Sequence, residues 1–327
     1  MSAGPLPPTP ALPAVPMALA TAMVVLASVG FGSVPFFVRG LTEAGMAPQA
    51  VALYRYALAA LIFLPFVWQA RADRGCLAWG VGTGLAMGLG WTGYVAALEA
   101  LPVATVGVIY MTFPVFALLA SRALFGERPT ARGLIAAGTV LAGAAVAAGP
   151  DALAPAATGA LLTALAAPAT FGLAIAVLVH RLTPIPVLAR IGAISLGSAL
   201  ALAPLVLAAP AATVLPAGRD AVLLVVGVSL GTALVPQLLY TLFAPVVGAA
   251  RAATAGAVEL PTMILIGWLA FAETPGPLQA LGGALIVGAV ALSPSRKVRS
   301  ATATAATARP PGRADERTPG VNRPPRA

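Results

Sequence analysis

The chain has 327 residues, of which 59% are hydrophobic and only 9% are charged, and its mean hydropathy is +0.94. Soluble domains carry about a quarter charged residues, so this composition excludes an ordinary soluble protein and indicates a membrane protein. The single cysteine, Cys76, excludes an intramolecular disulfide and a cysteine metal cluster.

The first 16 residues are rich in proline and carry no basic segment. We therefore interpret residues 1–16 as a disordered lead and not as a signal peptide. A helix needs about 20 apolar residues to cross a bilayer, and charges, prolines and turn residues divide the following chain into ten apolar segments. The predicted spans are 17–38, 50–68, 77–98, 103–120, 133–148, 159–179, 191–208, 221–243, 252–271 and 278–292.

Basic residues are distributed unevenly between the connections. With the N-terminus in the cytoplasm, eight of the 19 basic residues fall in inner connections, eight in the C-terminal tail and two, Arg39 and Arg219, in outer connections. Arg55 remains inside the second span. Because short cytoplasmic loops retain Lys and Arg, this asymmetry predicts ten crossings with both termini in the cytoplasm.

The tail, residues 294–327, is polar and rich in Pro, Thr and Arg, and it supplies eight of the positive charges behind the net charge of +9. Its composition predicts disorder. A basic segment beside a last span is more typical of a topology anchor that contacts anionic lipids than of a nucleic-acid-binding arm, so we expect no nucleic-acid partner.

Two stretches of the chain resemble each other. FPVFALLASRALFGERP, from Phe113, matches ELPTMILIGWLAFAETP, from Glu259, and the similarity continues into the following span at separations of 145 to 147 residues. This predicts two five-span repeats, residues 17–148 and 157–293. Because five is odd, the repeats would lie upside down relative to each other in the bilayer.

The repeat also carries a resemblance to a known family. The GERP turn at 126–129, the AETP turn at 272–275 and RYALAALIFLP from Arg55 resemble the EamA branch of the drug/metabolite transporter superfamily. The resemblance extends over roughly residues 17–293. It implies an all-α membrane transporter of ten helices and favours export, while the substrates of this family are diverse.

Glu259 and Arg55 are charges inside otherwise apolar segments. A charge near the bilayer centre costs about 2.5–3.5 kcal/mol on insertion scales, so such residues face a cavity or a partner. A structural ion pair between Arg55 and Glu259 and a substrate or proton site are both open interpretations. Our hypothesis is that Glu259 lines a central cavity and Arg55 lies near its outer rim.

Other features of the two repeats favour structural roles. Glu127 and Glu273 each precede a proline by two residues at the start of a span, where a carboxylate favours the positive end of the helix dipole. Pro114 and Pro261 lie inside predicted spans, and a kink and a gating hinge are both open interpretations of each. Glycines at 80, 84 and 88 form a ridge that lets another helix approach closely.

Enzyme motifs are not supported. GVSLG at 227–231 matches a nucleophile elbow but lies in a span, and the only histidine, His180, precedes it. The sequence contains no zinc-protease or phosphate-binding motif, so we expect no catalytic residues, no metal and no cofactor. His180 is interpreted as an interfacial residue.

These observations predict a carrier that moves small metabolites across the plasma membrane, in a bacterium the inner membrane, by alternating access. Its partners would be a small-molecule substrate and the lipid bilayer, and a homodimer stays open. An amino acid or related amphipathic solute fits the candidate lining residues. These residues are Arg55, Trp91, Tyr94, Tyr110, Gln237, Tyr240 and Glu259. The alternatives are a non-transporting membrane scaffold and an integral-membrane enzyme.

Overall fold

The computed structural model describes residues 15–148, 155–248, 252 and 255–292, and within these residues the ordered elements are helices. The predicted tail and most of the predicted lead lie outside the described residues. The first half contains α1 (Met17–Gly32), α2 (Val34–Glu43), α3 (Pro48–Gln69), α4 (Arg74–Ala100), α5 (Val103–Tyr110), α6 (Phe113–Phe125) and α7 (Ala131–Ala148). The second half contains α8 (Pro155–His180), α9 (Val187–Leu207), α10 (Ala211–Val214), α11 (Gly218–Val226), a π-helical segment (Gly227–Leu234), α12 (Val235–Val247), α13 (Glu259–Phe271) and α14 (Pro277–Leu292).

The helices fit a multi-pass membrane protein. Within the described residues, six helical stretches are long and apolar enough to cross a bilayer, and three shorter apolar helices accompany them. Each of the ten predicted spans overlaps helical residues. The prediction of an all-α membrane protein is therefore confirmed, whereas the number of crossings and the orientation of the termini stay predictions.

Two predicted spans are broken at corresponding places. A two-residue turn at 111–112 separates α5 from α6, and a two-residue turn at 257–258 precedes α13. Pro114 is the second residue of α6 and Pro261 the third of α13. Proline lacks an N–H and clashes with a preceding helical turn, so each helix starts anew just before it. Glu259 is consequently the first residue of a helix, and not the interior residue that the sequence predicted.

The helices of one half pack mainly against those of the other. α3 and α4 both pack on α9, α4 also packs on α8, α1 packs on α12, and α7 packs on α14. When the helices of the two halves are matched in chain order, α12 corresponds to α4, α1 to α8 and α13 to α6. The packing of α4 on α8 then has its counterpart in the packing of α12 on α1. Likewise, the packing of α6 on α8 has its counterpart in the packing of α13 on α1. The same contacts thus occur in both directions between the halves.

The glycine ridge of α4 lies at a close crossing between the two halves. A Cβ on Gly84 would lie 2.1 Å from the carbonyl oxygen of Ile194 and 2.9 Å from the Cα of Gly197 in α9. The Ser198 hydroxyl donates to the Gly84 carbonyl at 2.9 Å. Only backbone without side chains fits this crossing, as small residues allow between membrane helices.

Candidate functional site

The predicted Arg55 lies in α3 at the interface between the two halves, and only 8% of it is exposed. The face of its guanidinium lies 4.1 Å from the centre of the Trp91 ring in α4, a cation–π contact. One terminal nitrogen, Nη1, donates to the Thr232 hydroxyl in the π-helical segment. Arg55 is therefore held by one residue of each half.

A continuous series of aromatic rings extends from Arg55. Trp91 lies 4.8 Å from Tyr94, Tyr94 lies 5.6 Å from Tyr110, and Tyr110 stacks on Phe171 of α8 at 5.7 Å, all measured between ring centroids. Trp91 and Tyr94 are 3% and 2% exposed. The structure thus brings three predicted candidates together and adds Phe171, which the sequence analysis missed.

Glu259 and Tyr240 join the same region from the second half. The Glu259 carboxylate is close enough to interact electrostatically with Arg55 and with the hydroxyls of Tyr94, Tyr110 and Tyr240. Tyr240 also lies 6.3 Å from Phe31 of α1 between ring centroids. Six of the seven candidates are therefore neighbours around one region.

Gln237 is the candidate that the structure does not bring in. It lies in α12, one turn before Tyr240, and its amide donates to Thr241 of the same helix at 3.4 Å. Among the described residues, no hydrogen bond or ring contact joins Gln237 to another candidate. Its role in the site remains a prediction.

The ion pair between Arg55 and Glu259, one of the two sequence interpretations, is not formed. In the described part of the chain the ion pairs are Arg39 with Glu273 and His180 with Glu127. The face of the Arg55 guanidinium instead packs on the Trp91 ring, and its Nη1 donates a hydrogen bond to the Thr232 hydroxyl. The sequence could not show that a hydroxyl from a π-helical turn would take the place of the carboxylate.

Two buried donors in this region have no acceptor among the described residues. They are the Nε of Arg55 and the hydroxyl of Tyr56, whose side chain is 6% exposed. Buried polar groups are normally hydrogen-bonded, so each is an exception that needs an explanation. Tyr56 was missed by the sequence analysis, although its position directly after the intramembrane Arg55 was the available signal.

The π-helical segment supplies polar side chains from the second half. The Ser229 hydroxyl donates to the Tyr54 carbonyl at 2.8 Å, and the Thr232 hydroxyl accepts from Arg55 and donates to the Val228 carbonyl. π-helical turns inside α-helices occur frequently at functional sites. Here the segment contacts α3 beside Arg55, and the Ser229 hydroxyl lies within hydrogen-bonding distance of the carbonyls of Tyr54 in α3 and Val225 in α11.

Both repeat-related glutamates contact a basic side chain within the described ranges. The Glu273 carboxylate accepts from Arg39 Nη1 at 2.5 Å and from the Val103 amide at 2.7 Å, and Arg39 also donates to the carbonyls of Leu98 and Leu101. Glu127 contacts Nε2 of His180 at 2.9 Å, and His180 stacks on Phe125. Each pair joins the end of one half to the other half. The sequence predicted that these glutamates lie at helix starts and that His180 is an interfacial residue of the membrane. It gave no signal for the contact of either glutamate with a basic side chain.

Metal chemistry has no support in the described residues. No group of three or more His, Cys, Asp or Glu side chains lies together there in a way that could hold a metal ion.

The comparisons with known proteins agree with this architecture. Residues 18–149 match the sequence model described as the EamA-like transporter family, part of the drug/metabolite transporter superfamily, so the suspected resemblance is confirmed. Together with the apolar helices, this match supports a multi-pass membrane transporter of the drug/metabolite type.

The fold has relatives among solved structures. One of them, titled "Crystal structure of protein", has a TM-score of 0.55 and 22% identity and covers 84% of this chain and 96% of that chain. At this identity the likeness shows the fold alone. Among the curated proteins, none matches the chain.

Proposed function

Because residues 18–149 belong to the EamA-like transporter family, we propose that the chain is a plasma-membrane carrier that moves small amphipathic metabolites by alternating access. The observation that carries the proposal is the cluster around Arg55 and Glu259. It combines one positive charge, one carboxylate and several aromatic rings, and both halves of the chain contribute to it.

The composition of the cluster favours a solute with an apolar body and charged ends. Aromatic rings provide apolar contact area, while Arg55 and Glu259 provide opposite charges at separate positions. An amino acid or a related metabolite has this pattern, and the family favours its export. Few other charged side chains lie within the spans, so these two would determine how the solute is oriented.

The burial of the cluster favours alternating access over a permanent channel. Trp91 and Tyr94 are almost fully covered, so a solute reaches Arg55 only when surrounding helices move. α6 and α13 are half-helices that start beside the cluster, and broken helices near the midplane are typical of carriers built from inverted repeats. The ion pairs of Glu127 and Glu273 join the halves at the turns that follow α6 and α13, where one must open for access.

The proposal is tested by uptake into proteoliposomes that contain the purified full-length protein. The panel comprises radiolabelled neutral, acidic and basic amino acids and their decarboxylated relatives, with and without an imposed pH gradient. We expect saturable uptake of at least one apolar amino acid, and protein-free liposomes provide the control. If no solute enters faster than in the control, a non-transporting scaffold replaces the carrier as the interpretation.

A further inference from the structure

The two buried donors that have no acceptor lie side by side in the candidate site. We propose that Arg55 and Tyr56 together form a subsite for a carboxylate group of the transported solute. This inference rests on the proposed function in taking the bound solute to be one that the protein transports. The binding of a carboxylate at these two residues can be tested separately. Arg55 was expected at the site in general terms, whereas the pairing with Tyr56 comes from the structure.

The surroundings of Arg55 leave one of its edges unused. Trp91 covers the face of the guanidinium, and Thr232 accepts from Nη1. The Nε–H is buried and finds no acceptor among the described residues. A guanidinium presents its donors in a planar fork that matches the two oxygens of a carboxylate, so an unused Nε edge is suited to that group.

The Tyr56 hydroxyl adds a second donor beside it. The hydroxyl is buried and donates to no acceptor among the described residues, and it lies within hydrogen-bonding reach of the Arg55 guanidinium. The Tyr56 ring is fixed by an edge contact with Trp91, with 6.0 Å between ring centroids. Leaving a buried donor unpaired is unfavourable by about as much as a lost hydrogen bond. An acceptor that satisfies both donors would remove two such penalties.

A negatively charged acceptor suits these two donors best. A neutral carbonyl would satisfy hydrogen bonds but would leave the Arg55 charge without a direct counter-charge in an apolar environment. The carboxylate of Glu259 acts on Arg55 from outside contact distance and forms no ion pair with it. A carboxylate brought by the solute would supply both the charge and two acceptor oxygens, while the aromatic rings beyond Trp91 would contact its apolar part.

The experiment uses the fluorescence of Trp91, because its ring lies against the guanidinium. Trp68, Trp79 and Trp268 are replaced by Phe in the full-length protein so that Trp91 is the only tryptophan, and the protein is purified in detergent. The probes are leucine with leucinamide and butyrate with butyramide, two pairs that differ in the carboxylate. We expect a saturable change with leucine and butyrate and at least about tenfold weaker binding of the amides, as the loss of charged hydrogen bonds predicts.

Two variants assign the effect to the subsite. Tyr56→Phe removes only the hydroxyl beside the guanidinium and keeps the ring, so thermal unfolding is expected to change little while binding of leucine weakens about tenfold. Arg55→Lys retains a charge but lacks the planar fork, and we expect a weakening of the same order or larger. The matched control is Tyr54→Phe in the same helix, since the Tyr54 hydroxyl already donates to the Val214 carbonyl. It is expected to bind leucine like the parent.

Several results would overturn the subsite. These are equal binding of acids and amides, no response of the parent protein to either acid, or equal weakening by Tyr54→Phe and Tyr56→Phe. Uptake of solutes that lack a carboxylate, combined with no response to the acids, would retain the carrier and remove the subsite. Carboxylate binding that depends on Tyr56, without uptake of any solute, would retain the subsite and remove the proposed transport.

Discussion

Glu259 illustrates how position changes the behaviour of a single residue. It is a carboxylate in an apolar region, yet it starts α13, where the unpaired amides of a first helical turn favour a negative charge. That effect contributes about 0.3–1 kcal/mol at exposed sites and up to about 2 kcal/mol in partly buried geometry. Together with the distant charge of Arg55, it allows Glu259 to remain in place without a direct ion pair. Its carboxylate is thus free to interact with a cationic group of a solute.

Replacing Glu259 by Gln is expected to reduce solute uptake at least about tenfold, because the charge is lost while the shape is kept. Membrane insertion and the amount of purified protein are expected to stay the same. The measurement is initial uptake in proteoliposomes, with Glu99→Gln as the control because Glu99 is exposed on α4. Unchanged uptake by the Glu259→Gln protein would remove this residue from the mechanism.

The sequence identified some residues of this site more easily than others. Arg55 and Glu259 stand out because a charge in an apolar segment is unfavourable without a specific environment. Tyr56 and Phe171 do not, since aromatic side chains are common in apolar helices and only their neighbours in space distinguish them. Thr232 was also hidden, because nothing in GVSLGTAL signals a π-helical turn that directs a hydroxyl toward another helix.

At the scale of elements, α6 and α13 are alike in length and in their ends. Both have 13 residues, and each is followed by a residue in the left-handed conformation, Gly126 with φ 68° and Ala272 with φ 54°. Glycine adopts this conformation without penalty, whereas an L-residue with a Cβ is disfavoured by about 1–2 kcal/mol. The turn geometry is therefore the same in both repeats, but only the first has the residue suited to it.

This difference predicts opposite effects of exchanging the two residues. Ala272→Gly is expected to stabilise the protein by up to about 1 kcal/mol, since relief at φ 54° is partly offset by the greater entropy of glycine in the unfolded chain. Gly126→Ala is expected to destabilise it by about 1 kcal/mol, and no neighbouring atom obstructs the new Cβ. Thermal unfolding in detergent measures both. Destabilisation by Ala272→Gly would contradict the argument.

The crossing of α4 and α9 gives a second prediction at this scale. Gly84→Ala would place a Cβ 2.1 Å from the Ile194 carbonyl oxygen, so the helices must separate, and we expect a loss of about 1–3 kcal/mol in stability. Gly82 lies on the same helix with nothing within 4 Å of its Cβ position. Gly82→Ala is therefore the matched control, expected to be neutral or stabilising by up to about 1 kcal/mol. Equal unfolding temperatures of the two variants would refute a tight crossing.

The sequence was informative about the elements but not about their interruptions. The apolar segments and the glycine ridge follow from composition and spacing, and α4 and α9 meet where the ridge predicted a close approach. For Pro114 and Pro261, a kink and a hinge were both open interpretations of the sequence, because a proline can end a helix, bend it or start it. Whether the chain turns before the proline depends on what packs around it, and that information is not local.

At the scale of the whole molecule, the sequence predicts that the halves cross the bilayer in opposite directions. The contacts between halves are consistent with such a duplication, since α4 on α8 has its counterpart in α12 on α1. A rotation that relates the halves would place the turn after α6 and the turn after α13 at opposite faces. The excess of basic residues around the first turn predicts that this turn lies in the cytoplasm.

Labelling of single cysteines tests this arrangement. In a protein with Cys76→Ser, the variants Arg128→Cys and Thr274→Cys place one thiol at each turn, and both positions are exposed and lie at corresponding places in the repeats. A membrane-impermeant maleimide added to intact cells is expected to label Thr274→Cys and not Arg128→Cys. Both variants are expected to react after the membrane is permeabilised, which serves as the control. Labelling of both in intact cells would refute the inverted repeat.

The two ion pairs of the glutamates differ in chemistry although their positions correspond. Glu273 holds the planar guanidinium of Arg39, which presents several donors in a fork, whereas Glu127 contacts a single ring nitrogen of His180. Because different side chains hold the two corresponding turns, the two halves of this duplicated fold are not interchangeable at these positions.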